Sequence, residues 1–127
     1  MITVWVPGHP KTKGSLDFYG KGRVRETVDN RRWRELVTSA CKRAMGEHEP
    51  TSAPVVVALT FKIDHPDVCG PTARVGDVDK LARLVLDALT DAGVYRDDNQ
   101  VCALMVAKVP TDGVPGASGV HIAVKAP

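Results

Sequence analysis

The chain has little of what usually assigns a function at sight. Its three cysteines in 127 residues, Cys41, Cys69 and Cys102, are odd in number, widely spaced and never in a C-x-x-C pair. No disulfide framework can be read from them, and they imply free thiols in a reducing, cytoplasmic setting. No run of about 18 apolar residues occurs, so no membrane span is expected. The opening MITVWVPGHPK has neither a basic start nor an apolar core and does not read as a signal peptide. The histidines His9, His48, His65 and His121 are scattered, and none has zinc-ligand spacing. Neither a G-x-S-x-G turn nor a Walker loop is present, so serine hydrolysis, nucleotide hydrolysis and a small-molecule cofactor are not indicated.

What is present is an ordinary soluble composition with an uneven distribution of charge. The length suits one domain, residues 1–127, with a modest core. Net charge is only +2, yet Lys11, Lys13, Lys21, Arg23, Arg25, Arg31, Arg32 and Arg34 cluster early, whereas acids gather from Asp64 to Asp98. One part suits polyanions and the other suits cations.

In chain order, Ile2 to Val6 reads as a short strand ended by Pro7-Gly8. Residues 7–27 have frequent Gly and no period, which predicts a long mobile loop. Lys11, Lys13, Lys21, Arg23 and Arg25 there could hold phosphates and Phe18 or Tyr19 could stack on a base, or the segment could be a solvated surface loop. Asp29 suits the cap of a helix from Asn30 to Met45, with Trp33, Leu36, Val37, Ala40, Ala44 and Met45 as its buried stripe. Val55 to Ile63 predicts a central strand. A loop from Asp64 to Val75 leads to a strongly periodic helix. Val78, Leu81, Ala82, Val85, Ala88, Leu89 and Ala92 form its expected buried face, and Gly93 stops it. Val101 to Val109 predicts a second buried strand, and Val120 to Lys125 a last one. The sum is an α/β (α+β) fold, a small mixed sheet of about four strands carrying two main helices.

The periodic helix is flanked by carboxylates. Asp77 and Asp79 stand at its start, and Asp97 and Asp98 follow its end. Like charges brought close raise one another's pKa unless a cation relieves them. Mg²⁺ accepts oxygen ligands of this kind, with water and phosphate completing its octahedron. The alternative is local: Asp77 as a cap, Asp97-Asp98 as a turn, and Asp79 paired with Arg83 four residues on.

The run Asp77-Val78-Asp79-Lys80-Leu81, with Arg83, Asp87 and Leu89, then Asp97-Asp98 and Gln100-Val101, resembles the signature of the RusA family of Holliday junction resolvases. That pattern is D-x-D-N-L-x-K-x-x-x-D-x-L, a turn, and D-D-x-Q-V. The opening Val6-Pro7-Gly8-His9-Pro10-Lys11 is also similar to the family's. The resemblance implies a Mg²⁺-dependent endonuclease that nicks four-way and other branched DNA as a homodimer. It implies that Asp77, Asp79 and Asp98 bind metal, with Asp97 and Asp87 as further acidic positions and Arg83 where the family has its essential lysine. Lys80 replaces the usual Asn and joins the expected DNA-binding set. Arg83 keeps the charge and can clamp a phosphate, but it cannot give up a proton near neutral pH. Two other readings stand beside this one. D-x-D also serves nucleotide-sugar transferases, for which this chain leaves little room, and the Lys80 and Arg83 changes could leave a branched-DNA binder of the same fold with weak or no cleavage.

Overall fold

The computed structural model describes residues 2–12, 16–19, 23–26 and 28–127, with the backbone alone for 16–19 and 23–26. Its centre is a four-stranded mixed sheet of strands β1 (Ile2–Pro7), β6 (Gly119–Lys125), β4 (Val55–Ile63) and β5 (Val101–Pro110), in that order across the sheet. β6 runs antiparallel to both β1 and β4, and β4 runs parallel to β5. Parallel neighbours need a crossover, and helix α2 (Val78–Asp91) supplies it. Helix α1 (Val28–Met45) packs on β1 and on α2.

β4 forms where its β-branched, apolar run predicts, between two partners. Its alternate residues Val55, Val57, Leu59, Phe61 and Ile63 are buried and meet the core, while Lys62 is exposed. Val120, Ile122 and Val124 of β6 repeat the pattern. One face of the sheet is therefore covered by helices and the other is open. α2 buries Leu81, Ala82, Leu84, Val85, Ala88 and Leu89. It ends in a Schellman turn, with Val94 N–H bonding to Leu89 O at 3.0 Å and Gly93 in the left-handed region (φ 74).

Several expectations change. Residues 16–19 and 23–26 form an antiparallel pair, β2 (Leu16–Tyr19) and β3 (Arg23–Glu26), instead of one continuous loop. α1 begins at Val28, so Asp29 lies in its first turn and not at its cap. Cys41 joins the α1 stripe, while Leu36 and Ala44 are exposed. On α2, Val78 is exposed and Leu84 takes an unexpected core position. The largest change concerns β5, expected to be buried. It is the last strand of the sheet, and most of its residues are exposed. No described helix is long and apolar enough to cross a membrane.

Candidate active site

Asp77 immediately precedes α2 with extended backbone (φ −78, ψ 149), and its side chain makes no capping hydrogen bond. Asp79 lies in the first turn, where the helix dipole favours an anion. Both are exposed, and neither carboxylate has a hydrogen bond or ion pair among the described residues. The local alternative holds in part: Asp77 occupies the N-cap position and Asp97-Asp98 form a turn, but Asp77 does not cap through its side chain and Asp79 does not pair with Arg83. Arg83 and Lys80 are exposed on the same first turns of the helix.

Gly76 sets the approach to this pair. Its φ is +97, and a Cβ there would stand 2.5 Å from Thr12 Cγ2. Only glycine combines that conformation with so close a neighbour. Thr12 is held in turn by Asn30, whose Nδ2 donates to its carbonyl at 2.6 Å. The start of α1 thus fixes the Lys11–Thr12 segment against the start of α2. Between them lies a cleft of about 400 Å³ lined by His9, Lys11, Asp64, Arg74 and Gly76. Lys108 Nζ donates to Gly76 O at 2.9 Å. Lys11 and Arg74 thus share a cleft with Gly76, the residue before Asp77, and such cations can neutralise a phosphate backbone that carboxylates alone would repel.

At the other end of α2 the two aspartates differ. Asp97 caps a short 3-10 turn, Asp98–Gln100, with its Oδ1 accepting from Asn99 N–H at 2.8 Å. Gln100 Oε1 accepts from the Arg96 and Asp97 N–H groups, both at 2.9 Å, and its Nε2 donates to Thr51 O and Ala53 O. This capping box anchors the turn to the segment before β4. Asp98 has no hydrogen bond or ion pair among the described residues. It lines a shallow hollow of about 190 Å³ with Asp87, Asp91, Asp97 and Arg34. Arg34 Nη2 pairs with Asp91 Oδ2 at 2.7 Å, which ties α1 to the end of α2.

One chain does not bring the expected metal ligands together. α2 has 14 residues, so at a rise of about 1.5 Å each its ends stand roughly 21 Å apart. Asp77 and Asp79 share one end and Asp98, Asp97 and Asp87 share the other. Among the described residues no group of three or more His, Cys, Asp or Glu is placed to hold a metal ion. Asp77 and Asp79 alone still fit a hard cation in type, as two unengaged oxygen donors at a helix start.

Of the expected DNA contacts, Lys11 lines the cleft and Lys80 is exposed beside Asp79. Arg23 and Arg25 belong to β3, whose side chains are not described, and Lys13 and Lys21 lie outside the described residues. Phe18 and Tyr19 lie in β2, opposite Val24 and Arg23. Sequence reasoning missed Arg74 and Lys108. Arg74 sits in a loop without a period, and Lys108 reads as a single charge in an apolar strand. Only Gly76, between a loop and a helix start, signalled a close approach nearby.

The profile of the endodeoxyribonuclease RusA family matches residues 7–125. The crossover junction endodeoxyribonuclease RusA of Shigella sonnei is 32% identical over 101 residues, which is 80% of this chain and 78% of that protein. The protein of the same name from Escherichia coli strain K12 is 30% identical over the same span and coverage.

Proposed function

The chain belongs to the endodeoxyribonuclease RusA family, and on that premise we propose that it is a Mg²⁺-dependent endonuclease that nicks Holliday junctions and other branched DNA in the cytoplasm. The observation that carries this reading is the unpartnered pair Asp77 and Asp79 at the start of α2, beside the cleft of Lys11 and Arg74. When bound, Mg²⁺ polarises a phosphodiester and lowers the pKa of a water.

The chain's own part is to hold and orient. Asp77 and Asp79 supply anionic oxygen to the cation. Lys11, Arg74 and Lys80 hold the phosphates on either side of the scissile one and fix the strand's register. Arg83, one turn further along α2, grips a non-bridging phosphate oxygen through its planar fork. Its guanidinium stays charged, so its role is to stabilise charge and not to move a proton. Asp98 completes the ligand set from a second copy, because α2 holds it a helix length away within its own chain. A homodimer then carries two such sites, which suits paired nicks in a four-way junction.

The test is a labelled synthetic four-way junction beside a matched linear duplex, each with Mg²⁺ or with chelator. Symmetric nicks in the junction alone, abolished by chelator and by Asp79→Asn, are expected. Cleavage of both substrates would leave a metal nuclease and remove the junction preference. Tight junction binding without a cut under any divalent metal would leave a branched-DNA binding protein.

A further inference from the structure

We propose that the open face of the sheet carries a second nucleic-acid site, in which Trp5 stacks an unpaired base while Lys62 and His121 hold its phosphate. The site goes beyond the endonuclease reading and needs neither metal nor cleavage.

Trp5 of β1, His121 of β6 and Thr60 of β4 stand in one row across the sheet, with Trp5 opposite His121 and His121 opposite Thr60. Their chain neighbours Val6, Ile122 and Leu59 are buried, so side-chain alternation turns the row to the face that no helix covers. Lys62, further along β4, joins them. Its Nζ stands 6.0 Å from the centroid of the Trp5 ring, at the outer limit of a cation–π contact. Together with Gly116 and Ala117 these residues line a hollow of about 420 Å³, the size of a pocket for one small organic ligand. The ring is exposed yet held. Trp5 is 39% exposed, but a Cβ on Gly119 would stand 2.8 Å from its Cη2, so the indole rests on the bare backbone of β6. A tryptophan has few side-chain angles to lose, and the glycine contact limits them before any ligand arrives.

Charge selects the occupant. No Asp or Glu occurs in any strand of the four-stranded sheet. Asp112, in the loop before β6, lines a separate hollow with Asp64. Neither Thr60, Lys62 nor His121 has a side-chain hydrogen bond or ion pair among the described residues. An anion that also carries a flat apolar face satisfies the whole set, with its base on the indole and its phosphate on the ammonium and the imidazole. A duplex keeps its bases stacked on one another and offers Trp5 no face. A second copy of the chain would set cations against cations, and an apolar peptide would leave both Lys62 and His121 unmatched.

Lys62 faces this hollow, while the next residue, Ile63, lines the cleft beside Gly76. The two sites therefore share one end of the sheet on opposite faces. DNA that leaves a duplex at the cleft can pass over the end of β4 and set an unpaired base on Trp5. That path rests on the branched-DNA reading above, whereas the stacking itself does not.

Trp5 and Trp33 are the chain's only tryptophans, and Trp33 is buried, so quenching of the emission by an added ligand reports Trp5. The test titrates the full chain with single-stranded oligothymidylate, and with the duplex of that oligonucleotide and oligodeoxyadenylate, in chelator so that nothing is cut. A saturable quench by the single strand and none by the duplex is expected. In anisotropy of a labelled oligothymidylate, Trp5→Leu should weaken binding by about tenfold, and Trp5→Tyr should retain most of it. Lys62→Gln should lower the salt slope of log affinity by about 0.7. Circular dichroism should stay native in each variant. The site is overturned if the single strand leaves the emission unchanged, if the duplex quenches equally, or if Trp5→Leu and Lys62→Gln both bind as the wild type does. Emission that shifts with protein concentration in the absence of DNA would give the face to a second copy and overturn it as well. A wild type that nicks junctions while ignoring oligothymidylate sinks the site and keeps the proposed activity. A Trp5 quench by single strands in a protein that cuts no junction keeps the site and sinks the activity.

Discussion

Lys108 Nζ donates to the carbonyl oxygen of Gly76 at 2.9 Å. This single bond joins the end of the edge strand to the residue that delivers Asp77. The ammonium is half-buried and forms no ion pair with Asp77 or Asp79. Lys108→Met keeps the stem and removes the donor, leaving Gly76 O without its bond. The expected cost is about 1–2 kcal/mol, read as a lower midpoint in thermal or urea unfolding. Junction affinity should fall with it, because the carbonyl that leads into Asp77 loses its anchor. An unchanged midpoint would mean that the bond contributes nothing to holding Asp77 in place.

Gly76 should tolerate no side chain. Its φ of +97 strains any L residue, and the added methyl would meet Thr12 Cγ2 at 2.5 Å. Gly76→Ala is expected to cost about 2 kcal/mol or more. Thr12→Ser removes that methyl and should return part of the loss, while the backbone strain stays. A double-mutant cycle on unfolding midpoints separates the two contributions. Strict additivity of the two changes would show that the segments do not touch.

How much of this was legible beforehand depends on how far each signal reaches along the chain. β4 was readable because nine apolar or β-branched residues in a row leave little else, and the α2 period marked most of its buried face. The β2–β3 pair escaped because four-residue strands set among Gly and Lys carry no period. β5 looked buried because its composition is that of a buried strand. Sheet order, which leaves it at the edge, is not written in any local pattern. The expected carboxylate set came from the acids at the two ends of α2 together with the family resemblance, but the helix between those ends already implied their separation.

Cys41 gives the clearest dependence on pH. Burial pushes its thiol from the ordinary 9.0 up to about 11. A folded-state pKa above the unfolded one means stability that is fully present below pH 9 and lost as pH rises through 11, here on the order of 2 kcal/mol. Urea midpoints measured from pH 8 to 11 should fall in that window, and Cys41→Ala should flatten this part of the profile. At pH 8 a thiol reagent should label the exposed Cys69 and Cys102 in the native protein and reach Cys41 only on unfolding.

Arg83 should behave as a fixed charge. It is exposed on α2 and has no partner among the described residues, so its removal should leave the fold intact. Arg83→Gln should cut junction nicking by about 10²-fold or more, while Arg83→Lys should retain most of it. The rate profile of the wild type between pH 7 and 9 should show no step that Arg83→Lys abolishes. A large gain in rate for Arg83→Lys, with a new pH-dependent limb, would instead assign proton transfer to this position.

Asp97 and Asp98 are adjacent yet should separate cleanly by experiment. Asp97 Oδ1 accepts the Asn99 N–H at 2.8 Å and closes the capping box with Gln100, so its first duty is to hold the turn. Asp97→Ala should cost about 1 kcal/mol of stability, as loss of a helix cap does, and Asp97→Ser should restore most of it. Asp98 has no such bond, and Asp98→Ala should leave the unfolding midpoint within about 0.5 kcal/mol of the wild type. Nicking should show the opposite order. If Asp98 is a metal ligand, as proposed above, Asp98→Ala should abolish cleavage and weaken Mn²⁺ binding measured by calorimetry. Asp97→Ser should keep both in large part, because the turn that presents Asp98 is still closed. If Asp97→Ser is as inactive as Asp98→Ala at native stability, Asp97 is itself a ligand, and its free Oδ2 faces the cation while Oδ1 caps the turn.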